Sequence, residues 1–247
     1  MKIPIDTHTH SICGGHAFST LEEMVCRARE KGIEMFALTE HTPSMPDGAY
    51  IYLFNNLEFI PPYVDGVRVL RGAELNILDF EGTVDLPEKN LKKLEFVVAS
   101  MHDACIEPGS QEQNTAAMVG ALRNPYVDVI GHPGSPQYEL DVEAVVLETL
   151  RQGKLVEVNN HSFLYRAGSE ETCRTFIRLC KRYGLRVAVA SDAHISFEVG
   201  EFTAALAVLQ EEEFPEQLIV NASRSRFEQY LQERTARIER TKERQRE

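Results

Sequence analysis

Seven short runs rich in β-branched residues, KIPID, EMFALT, VRVLRGAEL, EFVVAS, VDVIGH, KLVEVNN and RVAVAS, recur along the chain, and helical patterns lie between several of them. The runs are continuously apolar instead of alternating apolar with polar. That pattern belongs to parallel strands covered on both faces by their crossover helices. Three of the intervening segments carry helix start and stop signals. TLEEMVCRAREKG predicts a helix opening after Ser19, with Glu22 completing a capping box and Gly32 closing it. DVEAVVLETLRQG and SEETCRTFIRLCKRYG follow the same logic. Seven strand units in one α/β chain point to a closed βα barrel one strand short of eight. An open doubly wound sheet has the same periodicity, which does not report closure.

Composition narrows the setting. At 247 residues the chain suits one large α/β domain or two small ones, with an ample core. Apolar residues make up 43%, which reads as soluble and globular, and neither a membrane span nor a secretory leader is expected. The net charge of −12 disfavours long nucleic acid, membrane surfaces and other polyanions at long range. An anionic substrate therefore needs a local positive source. Five cysteines with no C-x-x-C argue against a disulfide framework and for a reducing, cytoplasmic compartment. Cys26, Cys173 and Cys180 read as core, whereas Cys13 and Cys105 read as ordinary loop thiols. Residues 1–222 read as one domain. Residues 223–247 are strongly charged with few apolar anchors and read as a terminal helix or tail fraying into solvent.

In a parallel barrel, chemistry collects at the carboxyl ends of the strands. Of the eight histidines, seven fall there: His8, His10 and His16 around strand one, His41 after strand two, His102 after strand four, His132 after strand five and His194 after strand seven. Glu74 in strand three and Asp192 after strand seven add carboxylates. Strand six offers no plain ligand, only NNHS. Side chains alternate faces with period two, so His8 with His10, and Asp192 with His194, point the same way. Asp6 shares the parity of His8 and is expected behind it, whereas Glu40 has the opposite parity to His41 and is set aside as a ligand. Imidazole with carboxylate suits zinc, manganese or iron, while calcium and magnesium favour all-oxygen sites. Nine such donors exceed the needs of one ion and fit two or three, with a carboxylate bridging. His161 is expected at the rim, in a polar loop.

The motifs DTHTHS, LTEH, GAE, SMH, GHP and SDAH, in that order and spacing, resemble those of the polymerase and histidinol phosphatase (PHP) superfamily over about residues 3–220. The short length and VEVNN make the chain most similar to its YcdX-like phosphatases. The resemblance implies a distorted (β/α)7 barrel, TIM-like, with three divalent ions, usually Zn2+ or Mn2+, with Fe2+ also compatible. Carried over by residue, it implies one ion on His8, His10, Glu74 and Asp192, a second on His16, His41 and His194, and a third on His102, His132 and the bridging Glu74. His161 and Cys13 fall outside its pattern.

Such ions lower the pKa of bound water from 15.7 to roughly 7 and neutralise phosphate oxygens. The expected activity is therefore hydrolysis of a small phosphate monoester by metal-activated water at a trinuclear centre, with no catalytic side chain beyond the ligands. Arg166, in LYRAGS, is the candidate phosphate-orienting group, because guanidinium binds phosphate through two donors. Asn159 and Asn160 either line the pocket or satisfy loop backbone. A PHP phosphodiesterase or nuclease and an amidohydrolase-type C–N hydrolase are the alternatives. The latter commonly bridges its metals with a carboxylated lysine, and no lysine stands at a strand's carboxyl end here. A non-catalytic PHP module usually shows eroded ligands, and this set is intact. The oligomeric state is open, a homo-oligomer included.

Overall fold

The seven apolar runs become seven parallel strands in a computed structural model that describes residues 1–244. The strands are β1 (Ile5–Thr9), β2 (Met35–Leu38), β4 (Val67–Asn76), β5 (Phe96–Ser100), β6 (Val129–Ile130), β7 (Leu155–Asn159) and β8 (Val187–Ala190), paired in that order. A short β3 (Tyr63–Val64) folds back antiparallel on β4. The helices are α1 (Leu21–Lys31), α2 (Ile51–Asn56), α3 (Glu88–Leu91), α4 (Gln111–Arg123), α5 (Val142–Arg151), α6 (Asn160–Leu164), α7 (Glu170–Tyr183), α8 (Thr203–Glu211) and α9 (Arg224–Arg244). None of them is long and apolar enough to cross a membrane.

The barrel is nearly closed, and its seam shows how seven strands manage without an eighth. At the carboxyl end, β1 and β8 meet directly: Asp192 N donates to His8 O (3.0 Å) and His10 N to Ala193 O (2.8 Å). Deeper down, the Asn221 amide stands between the two strands. Its Nδ2 donates to Ile5 O (2.8 Å) and Val189 O (2.6 Å), and its Oδ1 accepts from Val189 N (3.0 Å). One buried side chain thus satisfies backbone groups that would otherwise be orphaned.

Two apolar layers hold the wall. Outward-facing strand residues pack under the helices, and inward-facing ones such as Ile5, Met35, Leu70, Phe96 and Leu155 fill the amino end of the barrel. That end is closed by α9, and here the expectation of a fraying tail fails. Phe227 and Tyr230 are fully buried against Phe96, with ring centroids 5.7 and 6.5 Å away. The helix's charges also tie it down: Arg234 Nε and Arg237 Nη2 each donate to the buried Asp128 carboxylate at 2.7 Å. The few apolar anchors in this segment are spaced to reach one patch, which composition alone conceals. Residues 245–247 of the expected tail lie outside the described residues.

Local signals hold with small shifts. The α1 capping box is formed one residue later than expected, by Thr20 and Glu23, and Gly32 closes the helix in the left-handed conformation (φ 70°). Ser19 instead accepts from Ser196 N (2.9 Å). Cys180 is buried and Cys173 partly so, but Cys26 is exposed on the outer face of α1.

Candidate metal centre

Strand β1 runs on past its apolar start through His8 to Thr9, with a register shift between Asp6 and Thr9, and the hydroxyls of Thr7 and Thr9 donate to Val189 O on β8 and Ala37 O on β2. His8 and His10 therefore share the inward face, as parity requires. From there the imidazoles form a continuous cluster. The His10 ring centroid lies 5.0 Å from His8, 4.6 Å from His41 and 4.4 Å from His194. His16 lies 4.9 Å from His41 and 4.6 Å from His194, and His102 lies 4.9 Å from His41 and 5.3 Å from His132. All seven expected histidines meet in one place.

Both carboxylates sit among them. Glu74, fully buried on β4, turns Oε1 toward His132 Nε2 (2.9 Å) and His102 Nε2 (3.3 Å), and Oε2 toward His41 Nδ1 (2.9 Å), His8 Nε2 (3.2 Å) and His10 Nε2 (3.5 Å). Asp192 Oδ1 lies 3.4 Å from His10 Nε2 and 3.6 Å from His8 Nε2. His132 and Asp192 both take positive φ values, 26° and 60°. Non-glycine residues held there cost of order 1–3 kcal/mol and cluster at functional sites.

Electrostatics follow from burial and crowding. Burial opposes ionisation of Glu74, but the rings of His41, His8 and His102 outweigh it and hold the carboxyl well below its usual range. Asp192 is likewise held low against burial, by His8 and His10 and then by Arg166. Burial would lower His8, yet Glu157, Glu74 and Asp192 raise it well above an ordinary histidine. His10 is pushed well down by burial and by His41, and His132 falls to about 4 through burial and then the Arg166 charge.

The cluster is under-satisfied as polypeptide alone. His8 Nε2, both nitrogens of His10, His16 Nδ1, His41 Nδ1, His102 Nε2 and Glu74 Oε2 are buried without a partner in hydrogen-bonding geometry. His16 Nε2 faces His194 Nε2 at 2.8 Å. A buried polar atom left unpaired costs about 1–3 kcal/mol, so a concentration of them needs a reason. Divalent cations fit: the donors are imidazole and carboxylate, and groups of three that could hold an ion include His8, His10 and Glu74, then His10, His41 and His194, then His41, Glu74 and His102.

Sequence reasoning missed the residues that aim these rings. Glu157, on the strand thought to offer no ligand, accepts from His8 Nδ1 and from the backbone of His132, both at 2.7 Å. Asn76 Oδ1 accepts from His102 Nδ1 (2.7 Å), and Asn76 is itself fixed by Asp85 Oδ2 (2.8 Å). Asp47 Oδ2 lies 2.9 Å from His16 Nδ1. Parity was the available signal for the first two, since Glu157 is in phase with Asn159 and Asn76 with Glu74. Asp6 is not behind His8: its carboxylate accepts from Ser191 N (3.1 Å) and Gly200 N (2.8 Å), pinning the turn that carries Asp192. Glu40 faces away from the cluster and accepts from Ser11, and burial raises it to about 7.

Beside the cluster opens a cleft of about 360 Å³ lined by His102, Asp103, His132, Ser135, Gln137 and Arg166. Arg166 reaches inward and donates from Nη2 to Asp192 Oδ2 (3.0 Å). Asn159 Nδ2 holds the same oxygen at 3.1 Å, whereas Asn160 Oδ1 accepts from Ala204 N and Ala205 N at the start of α8, which is the backbone role.

A nearly closed parallel βα barrel with imidazoles and carboxylates gathered at its carboxyl rim defines a class of protein in which the scaffold is apolar and the chemistry sits in the loops. Within that class this chain belongs to the PHP domain family, whose family model matches residues 6–161. It is 50% identical over 240 residues to a probable phosphatase of Acetivibrio thermocellus, covering 97% of this chain and all of that one. A probable phosphatase of Caldanaerobacter subterraneus subsp. tengcongensis is 48% identical over 240 residues, covering 96% of this chain and 94% of that one. Among solved structures, the Lactococcus lactis histidinol phosphate phosphatase, crystallised with zinc, L-histidinol and phosphate, shares the fold with a TM-score of 0.62 at 17% identity, covering 87% of this chain and 95% of that one.

Proposed function

We propose that this protein is a metal-dependent phosphatase acting on small phosphate monoesters at a three-ion centre. The observation that carries the reading is the concentration of buried, unpaired imidazole and carboxylate atoms beside an open cleft. The relatives named as probable phosphatases support the reaction class. His8, His10, Glu74 and Asp192 would hold one ion, His16, His41 and His194 a second, and His102, His132 and Glu74 a third. The two oxygens of Glu74, turned to different rings, suit the bridging role. Ions so held would supply an activated water near neutral pH and would neutralise phosphate oxygens.

The protein's own residues do the rest. Glu157 and Asn76 hold the outer nitrogens of His8 and His102, so each of these rings would turn its other nitrogen toward an ion without rearrangement. Arg166 stands at the cleft wall with its guanidinium already restrained by Asp192, placing remaining donors where a phosphate would enter. An acidic chain thereby gains a locally cationic pocket.

The test is elemental analysis of gently purified protein, followed by a screen of metal-loaded enzyme against phosphomonoesters, phosphodiesters and amides. Two to three equivalents of zinc, manganese or iron and preference for monoesters are expected. One equivalent or less after reconstitution refutes the three-ion centre. Preferential cleavage of diesters assigns the protein to the nuclease reading, and of amides to C–N hydrolysis.

A further inference from the structure

His161 lies outside the nine residues assigned to the centre, yet its ring is held as those of His8, His102 and His194 are. Three histidines of the cluster turn one nitrogen inward and have the other held by an oxygen. His8 Nδ1 is held by Glu157 (2.7 Å), His102 Nδ1 by Asn76 (2.7 Å) and His194 Nδ1 by the Asp192 carbonyl (2.7 Å). Metal-ligating histidines almost always show this pairing, which fixes the tautomer and aims the lone pair. In His161 the same arrangement appears with the nitrogens exchanged: Nε2 lies 3.2 Å from Glu198 Oε2, and Nδ1 turns inward, 3.9 Å from Asp192 Oδ2.

The ring is also fixed in place. It belongs to the first turn of α6, directly after Asn159, whose own amide touches Asp192. It stacks on His194 with centroids 5.9 Å apart and meets Tyr165 edge-on at 4.8 Å. The Tyr165 hydroxyl donates to Glu198 Oε1 (3.3 Å), so the anchoring carboxylate is held at both oxygens. The side chain is only 13% exposed. A solvent-facing loop histidine has no need of four restraints. One ligand atom each from His161, Asp192 and His194 lies within 4.8 Å of the others.

We propose that His161, oriented by Glu198, is a further ligand of the metal centre, joining the ion on the His194 side. This rests on the metal-centre reading above but not on the phosphatase activity. The ion assigned to His16, His41 and His194 has only neutral donors, and His16 and His194 are the more exposed histidines of the set, 31% and 21% by side chain. The group that brings His161 to His194 also brings the Asp192 carboxylate, and imidazoles with one carboxylate suit zinc or cobalt(II) rather than magnesium or calcium.

The test uses full-length protein loaded with zinc or cobalt(II). Stoichiometry, chelator competition and the visible absorption of the cobalt form are compared for wild type, His161→Ala and Glu198→Gln, with circular dichroism as a folding control. The expected result is a loss of affinity of about 10–100-fold for one ion only in His161→Ala, with altered cobalt bands. Glu198→Gln, which leaves the imidazole in place, should show a smaller loss in the same direction, and it decides the matter if His161→Ala does not fold. If wild type holds its ions and neither folded variant changes the chelator curve or the cobalt spectrum, the inference is overturned while the three-ion reading stands. Wild type that holds no more than one ion overturns both.

Discussion

Glu157 offers the sharpest test of how the protein prepares its proposed centre, because a single buried carboxylate serves three donors: His8 on β1, the His132 amide in the turn after β6 and Asn159 on its own strand. Its Oε1 accepts from His8 Nδ1 and its Oε2 from the His132 amide, each at 2.7 Å, in a side chain 1% exposed. Glu157→Gln keeps the volume but provides only one acceptor. If the glutamine oxygen serves the His132 amide, its NH2 faces His8 Nδ1. His8 must then carry its proton on Nε2, pointing N–H instead of a lone pair at Glu74 and Asp192. If the amide is flipped, NH2 confronts the His132 N–H, at a residue already held at positive φ. In the flipped arrangement a buried donor is left unpaired, at about 1–3 kcal/mol, and in either one a hydrogen bond to charge worth about 1.5–3 kcal/mol is lost. The part that reaches metal binding should be about 10–100-fold in affinity, or about 1.4–2.8 kcal/mol. The remainder should appear as lower stability of the metal-free protein in urea. Chelator competition on the loaded variant reads the first quantity, and denaturation of the stripped variant reads the second. A Glu157→Gln protein that binds its ions within twofold of wild type and unfolds at the same urea concentration would refute the claim that this carboxylate sets the His8 tautomer.

Two further outcomes are expected. Arg166→Ala should lower kcat/KM on the best phosphomonoester about 10–100-fold, the loss of one charge-assisted contact, while metal content is retained because Asn159 still holds Asp192; unchanged kinetics would return this arginine to a role in restraining Asp192. Phe227→Ala should destabilise the fold by about 3–5 kcal/mol, since it opens a cavity at the closed end of the barrel, and equilibrium unfolding with a loss below about 1 kcal/mol would show that α9 is dispensable.

What the sequence discloses and what it hides divide along physical lines. Strand runs such as VRVLRGAEL and EFVVAS were legible because burial on both faces demands continuous apolar residues, and β4 and β5 occupy nearly those residues. The histidine cluster was legible because polar residues at the ends of such runs have no structural reason to recur. The KIPID run was misplaced: β1 extends to Thr9, since the hydroxyls of Thr7 and Thr9 satisfy neighbouring carbonyls and let a polar stretch remain strand. The role of α9 was hidden because two aromatic residues among many charges carry little weight in composition, although they lie on one helical face.

The restraining groups were hidden for a different reason, and it bears on how such centres are built. A ligand histidine is recognised by its type and position, but Glu157, Asn76, Asp47 and Glu198 are ordinary polar residues whose meaning lies in which nitrogen they face. All four reach across from a different strand or loop than the ring they face, so no local pattern links the pair. Glu157 joins β1 to the turn after β6, Asn76 joins β4 to the end of β5, and Glu198 joins the loop after β8 to α6. Each cross-link lowers the freedom of two loops at once. The centre's preorganisation is therefore a property of the closed barrel, which fixes the spacing between neighbouring strand ends, more than of any single loop. On that argument, damage to the seam at Asn221, far from the ligands, would act on the centre by shifting β1 against β8, since His8 and Asp192 approach each other across that join.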